Sequence, residues 1–146
     1  NKFNFELQIV GDGYLKNELE ELINKYQLDK FVKLLGHKNN ISELLNQSHC
    51  LLMPSLWEGL PIVILEAGAS SLPVISTAVG SIPSLLNDEN AYMSDLDDFK
   101  DNMILVMNKY EIARKRGEKL FDVVSAENSL GTIIKAHEKI YKNLKA

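Results

Sequence analysis

Two hydrophobic patterns alternate along the first two thirds of the chain. Short runs of consecutive apolar residues are separated by longer stretches in which apolar residues recur every three to four positions. The runs are typical of buried strands, and the recurring positions are typical of amphipathic helices. The predicted strands are 5–10, 31–35, 50–53, 74–76 and a short fifth at 91–93. Continuous apolar strands separated by helices predict a parallel sheet covered on both faces.

Helices are predicted between the strands, and the chain after about residue 96 is predicted to be wholly helical. Asn40 is a candidate cap for the second helix, which is short. The apolar positions at helical spacing are Leu15, Leu19, Leu22, Ile23 and Tyr26 in the first helix, Ile41, Leu44 and Leu45 in the second, and Phe99, Met103, Val106 and Met107 after residue 96.

A third helix is predicted from Pro61 to near Leu72. Proline suits the first position of a helix because its missing N–H removes no hydrogen bond there and its fixed φ matches the helix. Pro73 then ends the helix, because a proline disfavours helical geometry in the residue before it.

The start of this helix has no residue suited to capping it. Neither Gly59 nor Leu60 offers a side-chain oxygen, so the backbone N–H groups of Ile62 and Val63 are predicted to remain available. Free N–H groups at the positive end of a helix dipole favour an anion such as a phosphate.

Two acids flank this helix start, with seven residues between them: Glu58 in the preceding loop and Glu66 in the second turn. Most neighbouring residues are apolar, and an ionised carboxylate in such surroundings needs polar partners. Carboxylates repel a phosphate and accept hydrogen bonds from hydroxyls. A ligand with a phosphate in the middle and hydroxyls on both sides, such as a nucleotide-sugar, satisfies all of these groups.

Residues 54–76 resemble the acid-seven-acid signature of retaining glycosyltransferases of the GT-B fold, in particular family 4, where it lies in the C-terminal, donor-binding half. Residues 7–13, 32–36, 76–83 and 138–144 are similar to further segments of that half, so the likeness covers nearly the whole chain. The resemblance implies an α/β, Rossmann-like, three-layer parallel sheet with a helical C-terminal tail. It also implies one nucleotide-sugar-binding domain over residues 1–146.

The resemblance assigns roles to individual residues. It implies that Glu58 orients the transferred sugar through its hydroxyls and that Glu66 holds the ribose hydroxyls of the nucleotide. Backbone N–H groups at the helix start would meet the diphosphate and the sugar. The other implied donor-binding residues are Gly59, Leu60, Pro61, Ile62, Val63, Gly11, Gly13 and His37.

The implied reaction is the transfer of a sugar from a nucleotide-diphosphate sugar to an acceptor hydroxyl, with retention at the anomeric carbon. The acceptor would belong to a polysaccharide, glycolipid or glycoprotein glycan, and neither a cofactor nor a metal ion is expected. Two alternatives stay open: a nucleotide-sugar-binding module without transfer activity, and a nucleotide-sugar epimerase on the same scaffold.

Some positions depart from the family pattern. Ser71, Ala78, Ser81 and Ser84 stand where glycine, aspartate, glycine and glutamate are usual. The chain begins at Asn1, after the strand and helix that carry a phosphate-neutralising Arg and Lys in family members. The expectation is a fragment of a larger enzyme, inactive alone, whose acceptor-binding half lies outside this chain.

Composition agrees with a small globular domain that binds small molecules. The chain has 146 residues, 45% of them hydrophobic, which is enough to bury a core. Its 16 basic and 20 acidic residues give a formal charge of −4, which argues against a non-specific nucleic-acid binder and a polybasic membrane patch. The single cysteine, Cys50, cannot form an internal disulfide, and a buried thiol in the cytoplasm is expected.

Membrane and metal sites receive little support from the sequence. No apolar stretch reaches the roughly 18 residues of a membrane span, although peripheral attachment of the full-length protein stays open. The three histidines show no metal-ligand spacing. Asp95, Asp97 and Asp98 resemble the metal-binding Asp-x-Asp motif of a different glycosyltransferase fold, but acids just ahead of a helix are predicted to be capping and dipole residues.

Three further residues bear on ligand binding. A dinucleotide motif is disfavoured at Lys16, and His37 and Trp57 each allow two interpretations. Lys16 replaces the third glycine of a dinucleotide fingerprint after Gly11 and Gly13, which favours a plain tight turn. His37 either lines the pocket for the base or is a solvated turn residue. Trp57 either stacks on a ring of the ligand or wedges the loop against the core.

Overall fold

The structure is a computed structural model that describes residues 4–144 and divides into two compact units, residues 1–41 and residues 42–146. The elements in chain order are β1 Leu7–Val10, α1 Lys16–Lys25, β2 Val32–Gly36, α2 Ile41–Gln47, β3 Leu51–Met53, α3 Ile62–Ala69, β4 Val74–Thr77, α4 Ile82–Leu85, β5 Tyr92–Ser94, α5 Phe99–Asn108, α6 Tyr110–Glu127 and α7 Leu130–Asn143.

The first unit is a β–α–β arrangement. Strands β1 and β2 pair in parallel, with one irregularity in the register between Ile9 and Val10. Phe5 and Phe31 stack just before the two strands, with ring centroids 5.6 Å apart. Because parallel strands end at the same edge, the turn after β1 and the residue after β2 lie side by side.

The second unit contains a parallel sheet with the strand order β3-β4-β5. All four residues of the central strand β4 are buried. Successive side chains of a strand point to opposite faces, so both faces of this sheet are covered. On one side, a core cluster joins the sheet to α5 and α6 through Ile75, Tyr92, Phe99, Val106 and Ala113.

The predicted α/β, Rossmann-like architecture is confirmed: parallel strands alternate with helices, and residues 99–143 are helical apart from two short breaks. Each predicted strand lies within about two residues of an observed one. The hydrogen-bonded pairing, however, forms two sheets, of two and three strands. The short helix α4 was not predicted, because a single turn is too short to show a periodic pattern.

Helix α3 begins one residue later than the sequence predicted. Pro61 has φ −70° and ψ 120°, so it precedes the helix as its cap residue, and Ile62 is the first helical residue. The prolyl ring fixes φ but leaves ψ free, and here ψ is extended. The prediction that Pro61 occupies the first helical position was therefore wrong, whereas the predicted helix itself is present.

Helix α3 ends at Ala69 in a turn that places Ser71 in the left-handed region, with φ 53°. The N–H of Leu72 donates to the carbonyl of Ala67 at 2.9 Å, and the N–H of Ser71 donates to that of Gly68 at 2.9 Å. These two hydrogen bonds form a common helix-ending motif. The residue with positive φ in this motif is usually glycine, because glycine adopts positive φ without steric cost. Ser71 thus forms the same turn, although serine is less suited to positive φ than glycine is.

The only cysteine of the chain, Cys50, is half-buried directly before β3. Burial raises the pKa of its thiol from 9.0 to about 12, so the reactive thiolate is almost absent at neutral pH. Because folding raises this pKa, the contribution of the thiol to stability is constant below about pH 9 and declines as the pH rises towards 12.

We expect iodoacetamide to alkylate Cys50 at least about a hundredfold more slowly in the folded chain than in the denatured chain at pH near 8. Mass spectrometry of timed samples measures both rates, and a Cys50→Ser chain gives the background. Equal rates in the folded and denatured chains would show that the thiol is accessible and ionised as in a peptide.

Candidate functional site

The loop between β3 and α3 holds Glu58 by a hydrogen bond from the side chain of Ser55. The Ser55 hydroxyl donates to Oε1 of Glu58 at 2.8 Å. Glu58 is half-buried, so its carboxylate is neither in bulk solvent nor enclosed. One carboxylate oxygen therefore has a partner within the protein, and Oε2 remains free to accept hydrogen bonds from a ligand.

The start of helix α3 is uncapped, as the sequence predicted. No side chain accepts a hydrogen bond at its cap, and the first N–H bonded within this turn is that of Ile64, which donates to the carbonyl of Pro61 at 3.1 Å. The N–H groups of Ile62 and Val63 have no acceptor among residues 4–144. Two donors thus remain at the positive end of the helix dipole, where an anion is favoured.

Glu66 lies in the second turn of α3 and is half-buried. Its carboxylate makes no hydrogen bond or ion pair with any residue that the structure describes. A half-buried carboxylate without a protein partner is a ready acceptor for ligand hydroxyls. The structure therefore brings together, on one loop and one helix, the two acids and the two free N–H groups.

The loop between β4 and α4 contacts the loop that carries Glu58. The Thr77 hydroxyl donates to the carbonyl of Ser55 at 2.6 Å. The N–H of Ser81 donates to the carbonyl of Gly59 at 3.1 Å. Gly80, with φ 57°, lies so close that an added Cβ would be 1.8 Å from the Glu58 carbonyl oxygen. The loop that carries Glu58 is therefore held against the end of β4 and the loop that follows it by two hydrogen bonds and one close backbone approach.

The sequence places Ser55 and Thr77 near the carboxyl ends of predicted strands, where parallel sheets bind ligands, but it assigns no contact to Ser55, Thr77 or Gly80. The structure confirms these positions, because Ser55 follows β3 by two residues and Thr77 is the last residue of β4. The departures at Ala78, Ser81 and Ser84 do not disturb this arrangement. Ala78 is exposed, Ser81 uses its backbone N–H, and the Ser84 hydroxyl donates locally to the carbonyl of Ser81 at 2.7 Å.

In the first unit, the turn after β1 and the residue after β2 are joined through Asp12. Its Oδ2 accepts the N–H of His37 at 2.9 Å, and its Oδ1 lies 3.2 Å from Nζ of Lys16. The hydrogen bond from His37, followed by the contact with Lys16, lowers the pKa of the Asp12 carboxyl. The structure thus brings His37 next to the Gly11–Gly13 turn.

A shallow hollow of about 240 Å³ lies beside this turn in the first unit. It is lined by residues 9–13, by the beginning of α1 and by Leu34. His37 is not among the residues that line it. The His37 ring is exposed, with Nε2 3.0 Å from Oδ1 of Asn39.

Trp57 is 84% exposed, so it does not pack against a core among the residues that the structure describes. The interpretation that it wedges the loop against the core was therefore wrong. Leu56 and Ile62 are also exposed, at 75% and 71%. Stacking of Trp57 on a ligand ring stays a prediction. Trp57 is the single tryptophan of the chain, which makes it a fluorescent reporter next to Glu58.

Asp98 is the cap residue of α5, but its side chain makes no capping hydrogen bond, so the predicted capping role was wrong for this residue. Its backbone is helical, with φ −91° and ψ −3°, whereas a capping side chain normally requires an extended backbone. Within residues 4–144, no group of three or more His, Cys, Asp or Glu residues is placed to hold a metal ion. None of the helices in this range is long and apolar enough to cross a membrane.

The chain matches the family described as glycosyl transferases group 1 over residues 1–120. It is 45% identical over 96 residues to an uncharacterized glycosyltransferase of Methanocaldococcus jannaschii, which covers 66% of the chain and 24% of the relative. It is 30% identical over 140 residues to N-acetyl-alpha-D-glucosaminyl L-malate synthase of Bacillus anthracis, covering 93% of the chain and 37% of the relative.

The fold is similar to that of Anabaena HepE, whose crystal structure was solved in complex with UDP-glucose. The TM-score is 0.83 at 18% sequence identity, and the match covers 96% of the chain and 40% of HepE. The chain thus spans between 24% and 40% of the length of these three proteins.

Proposed function

The chain belongs to the glycosyl transferases group 1 family, and on this premise we propose that it is the donor-binding part of a retaining glycosyltransferase of family 4. The observation that carries the proposal is the uncapped start of α3, which lies between two acids that have free carboxylate oxygens. The proposed donor is a nucleotide-diphosphate sugar, which fits the free N–H donors with its phosphates and the two acids with its hydroxyls.

The diphosphate would accept hydrogen bonds from the N–H groups of Ile62 and Val63, at the positive end of the α3 dipole. Glu66 would accept hydrogen bonds from the ribose hydroxyls, and Glu58 from hydroxyls of the transferred sugar through Oε2. Gly59, Leu60 and Pro61 complete this proposed donor site. HepE, of similar fold, was solved with UDP-glucose, which supports a nucleotide-sugar as the ligand class.

Gly11, Gly13 and His37 are proposed to contribute to donor binding from the first unit. The exposed His37 ring and the Gly11–Gly13 turn lie at the ends of parallel strands, where such sheets bind ligands. Trp57 is proposed to contact a ring of the bound molecule.

In the proposed reaction, the departing diphosphate gains negative charge as the bond to the sugar breaks. Fixed N–H donors aimed at that charge stabilise the transition state without reorganisation. Glu58 orients the sugar and transfers no proton, which distinguishes this pair of acids from that of a glycoside hydrolase, where both carboxyls flank the scissile bond. The proposal requires no metal ion and no cofactor.

We propose that the acceptor is a hydroxyl of a polysaccharide, glycolipid or glycoprotein glycan and that parts of the protein outside this chain bind it. The full-length protein would act in the cytoplasm and could associate peripherally with a membrane that holds a lipid-linked acceptor. On this basis we expect the 146 residues alone to bind the donor weakly and to transfer no sugar.

Substituting the two acids separately tests the assignment of their roles. We expect Glu66→Gln to weaken binding of both the free nucleoside diphosphate and its sugar derivative by about tenfold, because charged hydrogen bonds to the ribose are lost. Glu58→Gln should weaken only the sugar derivative. Isothermal titration calorimetry with UDP, GDP and ADP, each with its glucose derivative, measures these affinities.

Glu127→Gln is the matched control, because Glu127 is exposed at the end of α6 and far along the chain from the loop. Its affinities should equal those of the unaltered chain. If the full-length protein bound none of these compounds, or if Glu66→Gln bound them all normally, the proposed donor site would be wrong.

A further inference from the structure

We propose that Ser55 and Thr77 are positioning residues that fix Glu58 for the sugar of the donor. This inference rests on the proposed function, in which Glu58 contacts the transferred sugar. Neither residue touches the donor in this scheme. Each acts through the hydrogen bonds that it makes within the protein.

The positioning acts through two consecutive hydrogen bonds. The Thr77 hydroxyl, on the last residue of β4, donates to the carbonyl of Ser55 at 2.6 Å. The Ser55 hydroxyl then donates to Oε1 of Glu58 at 2.8 Å. The rigid central strand is thereby connected, through the Ser55 backbone and side chain, to the carboxylate that is proposed to bind the sugar.

The hydrogen bond from the Thr77 hydroxyl to the Ser55 carbonyl is partly buried, so its loss would be costly. Thr77 is only 5% exposed, and removing its hydroxyl would leave the Ser55 carbonyl without this donor in a place with little access to water. The second bond occupies Oε1, so Oε2 is the oxygen left for the ligand. Side chains locked by neighbouring hydrogen bonds hold a binding site to a narrower geometry than free side chains do.

The far side of the same loop is held independently through its backbone. The carbonyl of Gly59 accepts the N–H of Ser81 at 3.1 Å, and Gly80 packs directly against the Glu58 carbonyl. Loss of the Ser55 or Thr77 hydroxyl should therefore loosen residues 55–58, including the Glu58 side chain, while the loop stays anchored at Gly59. This separates a positioning role from a general role in folding.

Loss of either hydroxyl should weaken the contacts to the sugar of the donor and leave those to its nucleoside diphosphate unchanged. The free N–H groups of α3 and the carboxylate of Glu66 are on the helix and do not depend on the bonds from Ser55 and Thr77. We therefore expect Ser55→Ala and Thr77→Val to weaken nucleotide-sugar binding by about tenfold. Binding of the free nucleoside diphosphate should change by less than about twofold.

The experiment compares each deletion with a variant that keeps the hydroxyl. Affinities of Ser55→Ala, Ser55→Thr, Thr77→Val and Thr77→Ser are measured by calorimetry with UDP-, GDP- or ADP-glucose and with the matching diphosphate. Thr77→Ser should restore sugar-derivative binding to within about threefold of the unaltered chain, because the hydroxyl donor is kept. Thermal unfolding of each variant is recorded in parallel.

A ligand-free measurement distinguishes failure of this inference from failure of the proposed function. Trp57 is the single tryptophan and lies between Ser55 and Glu58, so its time-resolved fluorescence anisotropy reports local motion of the loop. Faster depolarisation in Ser55→Ala and Thr77→Val than in Thr77→Ser is expected.

Unchanged anisotropy in both deletion variants would overturn the positioning role, whatever the ligand data show. Equal losses for the nucleotide and its sugar derivative would also overturn it, because they would indicate general damage to the fold. If no nucleotide or nucleotide-sugar bound while the anisotropy changed as expected, the proposed donor would be wrong and the hydrogen-bonded loop would stand.

Discussion

Gly80→Ala should lower sugar transfer by the full-length protein at least about a hundredfold, because displacing a positioned group by about 1 Å can cost that much. A Cβ at position 80 would lie 1.8 Å from the Glu58 carbonyl oxygen, far inside van der Waals contact. The backbone at position 80 has φ 57°, which adds a cost of about 1 kcal/mol for alanine. The loop that carries Glu58 must therefore move away.

The measurement for Gly80→Ala is the initial rate of transfer, with calorimetric affinity for the nucleotide-sugar as a second readout. Ala78→Ser is the matched control, since Ala78 lies in the same loop with an exposed side chain, and its rate should stay within about twofold. Normal transfer by a folded Gly80→Ala protein would mean that the close approach of the two loops does not position Glu58.

Gly117→Ala should cause the largest loss of stability, about 3 kcal/mol, which corresponds to a fall in Tm of roughly 10 °C for a chain of this size. Gly117 lies in α6 where that helix crosses the end of α3, and an added Cβ would be 2.2 Å from the carbonyl oxygen of Ser71. The contact is with backbone, which cannot rotate away. Helix α6 would have to separate from α3, which carries Glu66.

Gly131→Ala is the control for Gly117→Ala, because Gly131 is also helical but its added Cβ would meet no atom within 4 Å beyond its chain neighbours and the backbone of its own helix. Its stability should stay the same or rise by up to about 1 kcal/mol, since alanine favours the helix more than glycine does. Thermal unfolding followed by circular dichroism measures both. A Tm within about 2 °C of the unaltered chain for Gly117→Ala would show that α6 and α3 are not packed as closely as described.

Residues 74–77 show why much of the secondary structure was predictable. The apolar side chains of Val74 and Ile75 and the proline before them define a short buried segment, and the structure contains β4 at Val74–Thr77 with every residue buried. The hydrophobic pattern predicts a buried strand here, because both burial and strand formation depend on local side-chain chemistry. Which strands pair depends on contacts between distant segments, and the division into two sheets could not be obtained from the pattern.

The acids illustrate the same limit at the candidate site. Their spacing and the absent cap were visible in the sequence, and the structure places both on the loop and helix expected. The helix boundary at Pro61 and the missing side-chain cap of Asp98 were not visible. Each depends on a single ψ angle, which residue type does not fix.

The sequence by itself determined the alternation of strands and helices, the absence of a capping residue before the third helix and the two acids around that helix start, because each follows from the chemistry of neighbouring residues. Only the tertiary structure decided what holds Glu58 in place. Thr77 and Gly80 are separated from Glu58 by helix α3 along the chain. They reach it because parallel β3 and β4 end at the same edge, and this proximity exists only once the two strands have paired.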